Sequence, residues 1–244
     1  MKWFSNHRSQ FLSLCENNGI GLDYSTNKSA FEVFRSIFGS REYADYFPFY
    51  EDAVIVDIGA HYGFFSMFAS VNSGPSARVV ALEPSTANQA IFRKNIFDAK
   101  IRNIELVEAA LSDKPGEMPL FEGSSINHSL IDDYPLNESD AAATTVTVYS
   151  LQSLMEKYNL HRIDFLKLDC EGSEYDIVLN SDPHIFDKIT TISMEFHDLR
   201  SNEKTGNALV KKLSAGLGYR IVKYQHDATN LGMNFGKIIA TKLF

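Results

Sequence analysis

"AVIVDIGAHYGFF", residues 53–65, runs from a stretch of apolar residues through one acid into two glycines and a pair of phenylalanines. Such a run lacks the polar alternation of a half-exposed strand, so it predicts a strand covered on both faces. Gly59 and Gly63 then predict a tight turn leading into a helix. Further apolar runs lie at 77–84, 104–111, 163–170 and 190–196. Helix-patterned stretches separate them at about 62–71, 86–98, 150–158, 173–180 and 202–217. This alternation predicts an α/β protein: a doubly wound, Rossmann-like, mostly parallel sheet with right-handed crossovers. The last two runs, 219–225 and 236–243, are joined by a short polar link containing Asn230 and Gly232. No crossover helix fits there, so these strands are expected to pair antiparallel.

The glycine loop stands where such sheets receive a nucleotide. Its spacing is G-x-x-x-G, with Ala60, His61 and Tyr62 between the glycines. A pyrophosphate-binding loop needs G-x-G-x-x-G. The reading therefore favours a ligand with an adenosine and no phosphates. Asp57 ends the first strand, either holding the loop or attracting a cationic ligand. Glu83 ends the second strand, where a carboxylate can accept both ribose hydroxyls. His61 has two readings, a contact to the ligand's carboxylate or a bond to a backbone carbonyl.

"DFLKLDCEGSE", residues 164–174, carries four carboxylates around one apolar strand. Asp169 ends that strand, and Glu195 and His197 end the next, so all three should face one crevice at the carboxyl ends. Asp169 and His197 are the expected acceptor-orienting or base residues, with Glu195 in support. Two other readings stand beside this: Glu195 and His197 capping each other at a strand end, or all three binding a divalent metal. Glu171 and Glu174 are expected to stabilise the helix start that follows. Lys167 is expected to form a buried pair with Asp169, and Asp164 to be structural.

The totals narrow the function. The 244 residues are 44% hydrophobic and 22% charged, with a net charge of −8. That suits one folded domain and argues against a nucleic-acid binder, which needs a basic face. Two cysteines, Cys15 and Cys170, fit a reducing cytoplasm; Cys170 as a nucleophile is weighed against simple packing. No segment is apolar enough to span a membrane. Residues 1–50 hold twelve aromatics and read as a helical extension before a main domain at 51–244. Phe31, Phe34 and Phe38 share one helical face, packed on the sheet, on a sister subunit in a homo-oligomer, or over the substrate as a lid. Residues 115–143 are polar and contain no Lys or Arg, and read as an irregular insertion or lid. Its acidity would repel a phosphorylated acceptor and tolerate a neutral or cationic one.

With these residues in view, the chain resembles the FkbM family of S-adenosylmethionine-dependent methyltransferases, of the class I fold. "VIVDIGAHYGFFS", "VVALEPS", "VEAALSDKPGEMPLF" and above all "IDFLKLDCEGSEYDIVL" carry the resemblance, followed by "ISMEFH". It implies a seven-stranded sheet with the final strand antiparallel, and methyl transfer to an oxygen of a small molecule or saccharide. It implies that Asp57 and Gly59 line the methionine end of the cofactor, with Ala60, His61 and Gly63 in the same loop. Glu83 would hold the ribose, and Ala110 and Leu111 would flank the adenine. Cys170 departs from the usual Val of "DVEG". Two rival functions are kept: a nicotinamide-dependent oxidoreductase or epimerase, and a non-catalytic binding protein that retains the cofactor fold.

Overall fold

A computed structural model describes residues 33–43, 46–122, 128–130, 143–197, 204–228 and 234–242. Strand β1 (Val54–Ile58) lies inside a seven-stranded sheet, and its residues 55–58 are all buried. Both faces are covered, which is why this stretch shows no alternation. Helix α1 (Phe64–Ser73), β2 (Arg78–Leu82), α2 (Thr86–Asp98) and β3 (Ile104–Val107) follow in order. A small second sheet comes next: β4 (Ala110–Leu111), β5 (Gly116–Glu122), β6 (His128–Ser129) and β7 (Ala143–Tyr149). The chain returns to the main sheet through α3 (Leu151–Lys157), β8 (Ile163–Leu168), α4 (Glu174–Asn180) and β9 (Ile189–His197). It finishes with α5 (Gly206–Lys211), β10 (Arg220–Ala228) and β11 (Asn234–Thr241).

The main sheet runs β10-β11-β9-β8-β1-β2-β3. Strands β1, β2, β3, β8 and β9 pair in parallel, while β11 is antiparallel to both β9 and β10 and lies between them. This is the doubly wound sheet with an antiparallel final strand that the sequence predicts.

The period of two along β1 and β8 divides the core. Val56, Ile58, Leu166 and Leu168 face Tyr175, Ile177 and Val178 of α4, whereas Ile55 and Phe165 face Phe64, Phe65 and Phe68 of α1. Onto that second layer pack Phe34, Phe38, Phe47 and Phe49. Phe34 stacks on Phe38 at 4.8 Å and meets Phe64 edge-on, and Phe47 lies 4.8 Å from Phe165. Burying each such ring contributes about 1.5–3 kcal/mol, so Phe34, Phe38, Phe47 and Phe49 are part of the core. Phe31 and Cys15 lie outside the described residues.

Two expectations change. The apolar run 104–111 divides, because Ala109 bonds back to Val107 and sends β4 into the second sheet. The connection read as irregular at 115–143 contains a strand: β5 pairs antiparallel with β7, Gly116 opposite Val148 and Phe121 opposite Ala143. Leu120 and Val148 bury a small core there with Ala110 and Leu130. Residues 123–127 and 131–142 of the expected lid lie outside the described residues.

Candidate active site

The glycine loop takes its shape from what lies beneath it. Gly59 has φ +73°, and a Cβ there would stand 1.8 Å from the carbonyl oxygen of Asp169. Only a residue without a Cβ lets the end of β1 cross the end of β8 this closely. Gly63 has φ +80° and begins α1; its missing Cβ makes room for the Phe92 ring at 2.3 Å. Between them, Ala60 is buried against Ala81 and Phe92. His61 adopts φ +53°, a left-handed conformation costing roughly 1 kcal/mol or more for a non-glycine residue. Its ring stacks on Tyr62 at 3.6 Å.

That turn aims the His61 amide N–H at Glu83, donating to Oε2 at 2.7 Å. The Ser85 amide and the Asn88 side chain donate to Oε1 at 2.9 and 3.3 Å. Burial nonetheless raises the Glu83 carboxyl to about 7, against the opposing pull of these donors and Lys167. Glu83 therefore already touches the loop. Ala110 and Leu111 are buried in β4, just past β3, whose Val107 carbonyl accepts from the Glu83 amide at 3.1 Å. Asp57 is fully buried below the loop, taking Ser66 Oγ at 2.6 Å and Lys167 Nζ at 3.1 Å. It ties β1 to α1 and β8.

The acids of the next strands meet as expected. Lys167 Nζ lies 3.6 Å from Asp169 Oδ2, farther than from Asp57, and donates to the Gly59 carbonyl at 3.0 Å. Its charge is thus shared between two acids. Asp169 also accepts from the Tyr43 hydroxyl on Oδ2 at 2.9 Å, while its side chain stays 25% exposed. His197 Nε2 lies 3.4 Å from Glu171 and 3.6 Å from Glu195, and Nδ1 lies 3.9 Å from Glu174. Burial alone would lower the imidazole, but Glu171, Glu195, Glu174 and Asp169 together push it up to about 10. These carboxylates favour the protonated ring at neutral pH. Burial also raises the Glu195 carboxyl above its usual range.

Asp169, Glu195 and His197 each offer one ligand atom, all within 4.8 Å of one another. The donor types suit a divalent ion. Each donor is also engaged within the chain: Asp169 by Tyr43 and Lys167, Glu195 by Lys237 at 3.4 Å, and His197 by Glu171. Among the described residues, Asp57, Asp169, Glu171, Glu174, Glu195 and Glu42 face Lys167, Lys237 and His197. The nest is net anionic.

The other motif residues are placed as well. Glu174 accepts from the Cys170 and Gly172 amides at 2.7 and 2.8 Å and so holds the strand-to-helix turn. Burial and Glu174 push the Cys170 thiol well up, which disfavours a thiolate nucleophile. Asp164 accepts from the Val54 amide and from Arg162 at the opposite end of the strand, a structural role as expected. Sequence reasoning missed Tyr43, Glu42, Lys237 and the part played by Glu171. Lys237 had a usable signal: β11 antiparallel to β9 sets it opposite Glu195.

Fold and site together define a Rossmann-like protein with a glycine-rich loop after β1 and a cluster of acids at neighbouring strand ends. Residues 57–221 match the methyltransferase FkbM domain, and the chain belongs to the FkbM methyltransferase family. It is 24% identical over 196 residues to Methyltransferase 1 of Beauveria bassiana, covering 73% of this chain and 78% of that protein. It is 26% identical over 210 residues to AMB antimetabolite synthetase AmbE of Pseudomonas aeruginosa, covering 72% of this chain and 10% of that one. A solved structure, methyltransferase FkbM from Methylobacillus flagellatus, aligns with a TM-score of 0.48 at 14% identity over 77% of this chain and 43% of that chain. No helix among the described residues is long and apolar enough to cross a membrane.

Proposed function

We propose that this chain transfers a methyl group from S-adenosylmethionine to a hydroxyl oxygen of a small molecule or saccharide that is neutral or cationic. The observation that carries this reading is Asp169. Its carboxylate is part-exposed just past β8, in a nest with surplus negative charge, and its backbone carbonyl lies against Gly59 of the glycine loop. The donor set fits the cofactor. Glu83, ionised, can accept the two ribose hydroxyls, and Ala60, His61 and Tyr62 offer no glycine cradle for a pyrophosphate. Asp57 and Gly59 would lie at the methionine end, with Ala110 and Leu111 beside the adenine. Bound there, S-adenosylmethionine supplies a methyl group on a positively charged sulfur. The carboxylates of the nest favour that positive charge. Asp169 takes the acceptor's proton at Oδ1 and later releases it to water; Glu195 supports it, and protonated His197 orients the acceptor by donating to it.

Calorimetric titration with S-adenosylhomocysteine and with NAD tests the cofactor. The first should bind and the second should not; the reverse would end this reading. Label from methyl-labelled S-adenosylmethionine should then pass to neutral or aminated hydroxyl compounds and not to phosphorylated ones. Because the donors of the Asp169 trio are already engaged by groups of the chain, a chelator should leave that transfer intact. Loss of activity restored by a divalent ion would assign the trio to a metal.

A further inference from the structure

The segment before residue 57 lies outside the matched family domain, yet it reaches the nest at two points. Glu42 pairs with Lys237 of β11, and the next residue, Tyr43, donates to Asp169. Lys237 in turn lies 3.4 Å from Glu195. Two adjacent residues are thus tied to Asp169 directly and to Glu195 through Lys237. The Tyr43 ring is buried, meets Phe65 edge-on at 5.8 Å, and has the Lys167 ammonium 5.0 Å from its centre. A phenol held this firmly has little rotational freedom left, so its hydroxyl fixes whatever it bonds.

We infer that Tyr43 is a positioning residue for methyl transfer: with Lys167 it holds Oδ2 of Asp169, so that Oδ1 is the oxygen turned toward the acceptor and the transferring group. Both contacts fall on Oδ2, and the side chain as a whole stays 25% exposed. Without the hydroxyl, Asp169 can rotate onto Lys167 and close the longer ion pair, which takes Oδ1 out of line. This inference rests on the role given to Asp169 above.

The test needs no knowledge of the acceptor. Sinefungin carries an amine where S-adenosylmethionine carries the methyl group, so its ammonium probes the oxygen facing that position. Sinefungin and S-adenosylhomocysteine are titrated into the wild type, Tyr43→Phe and Asp169→Asn. Tyr43→Phe should bind S-adenosylhomocysteine within about twofold of wild type, which also reports that it is folded, and should lose about tenfold in sinefungin affinity. Asp169→Asn should show at least the same selective loss. A selective loss in Asp169→Asn with none in Tyr43→Phe overturns the positioning role and leaves Asp169 in place. Equal losses of both ligands in Tyr43→Phe reduce the residue to packing and also overturn it. No selective loss in Asp169→Asn removes the proton acceptor of the proposed function and this inference together. A wild type that binds neither ligand refutes the cofactor reading first.

Discussion

Glu83 offers a measurement on the free protein that bears directly on cofactor binding. The carboxyl is buried and its folded value is about 7 against an ordinary 4.5. As pH rises, the unfolded chain ionises this group first, so stability falls across that interval and levels off above it. The interval corresponds to roughly 3 kcal/mol. Glu83→Gln removes the titration and leaves the other groups in place. Urea unfolding of both proteins at pH 5 and pH 8 isolates the effect, since contributions common to the two cancel. Wild type should lose more stability than the variant between these pH values, by roughly 2–3 kcal/mol, since a little of the loss has already occurred by pH 5. The variant also sets an amide N–H₂ against the His61 or Ser85 amide, an unfavourable pairing that shifts both points equally. Because ribose hydroxyls bond best to the ionised carboxylate, wild-type affinity for S-adenosylhomocysteine should rise with pH up to about 7, and Glu83→Gln should bind about 10- to 100-fold more weakly with a flat profile. Parallel stability curves for the two proteins would refute the reasoning, because Glu83 would then be ionised at no cost.

Two further substitutions probe the architecture. Gly59→Ala must move the Asp169 carbonyl by about 1.2 Å, from 1.8 Å to the 3.0 Å below which Cβ contacts essentially never fall, and the φ of +73° adds a penalty of its own. Urea unfolding should show a loss of roughly 3–5 kcal/mol; a loss under about 1 kcal/mol would mean the loop does not cross β8 there. His197→Gln removes a cation held among Glu171, Glu174 and Glu195. The folded imidazole titrates near 10 rather than 6.5, so its contribution is complete below pH 6.5 and is lost as pH climbs toward 10. The variant should be less stable by a few kcal/mol at about pH 6 and nearly equal to wild type above about pH 10. Equal deficits at both pH values would show that the ring is uncharged.

What could be read in advance was what local periodicity and strand direction encode. Helix 86–98 appears at the predicted residues, and the meeting of Asp169, Glu195 and His197 follows from parallel strands ending on one side. Strand β7 was hidden because its Thr-Val alternation follows an alanine-rich polar stretch that reads as loop, and its partner β5 contains Gly116 and Pro119. Tyr43 was invisible for a different reason. It touches Asp169 across 126 positions of chain, a closure that no local pattern specifies. The charge on His197 was also beyond reach. Residue type suited it to orienting the acceptor or acting as a base, while the direction in which its titration shifts depends on how many carboxylates the fold crowds around it.

The placement of β11 between β9 and β10 has a consequence for biosynthesis. A ribosome releases β10 before the strand it must lie against exists, so the nascent chain carries an unpaired ribbon and leaves the edge of β9 bare. Lys237, the counter-ion of Glu42 and neighbour of Glu195, arrives only with that last strand. The charge cluster is therefore completed only once β11 has emerged, and cutting the chain before residue 234 would unzip two strands from the sheet.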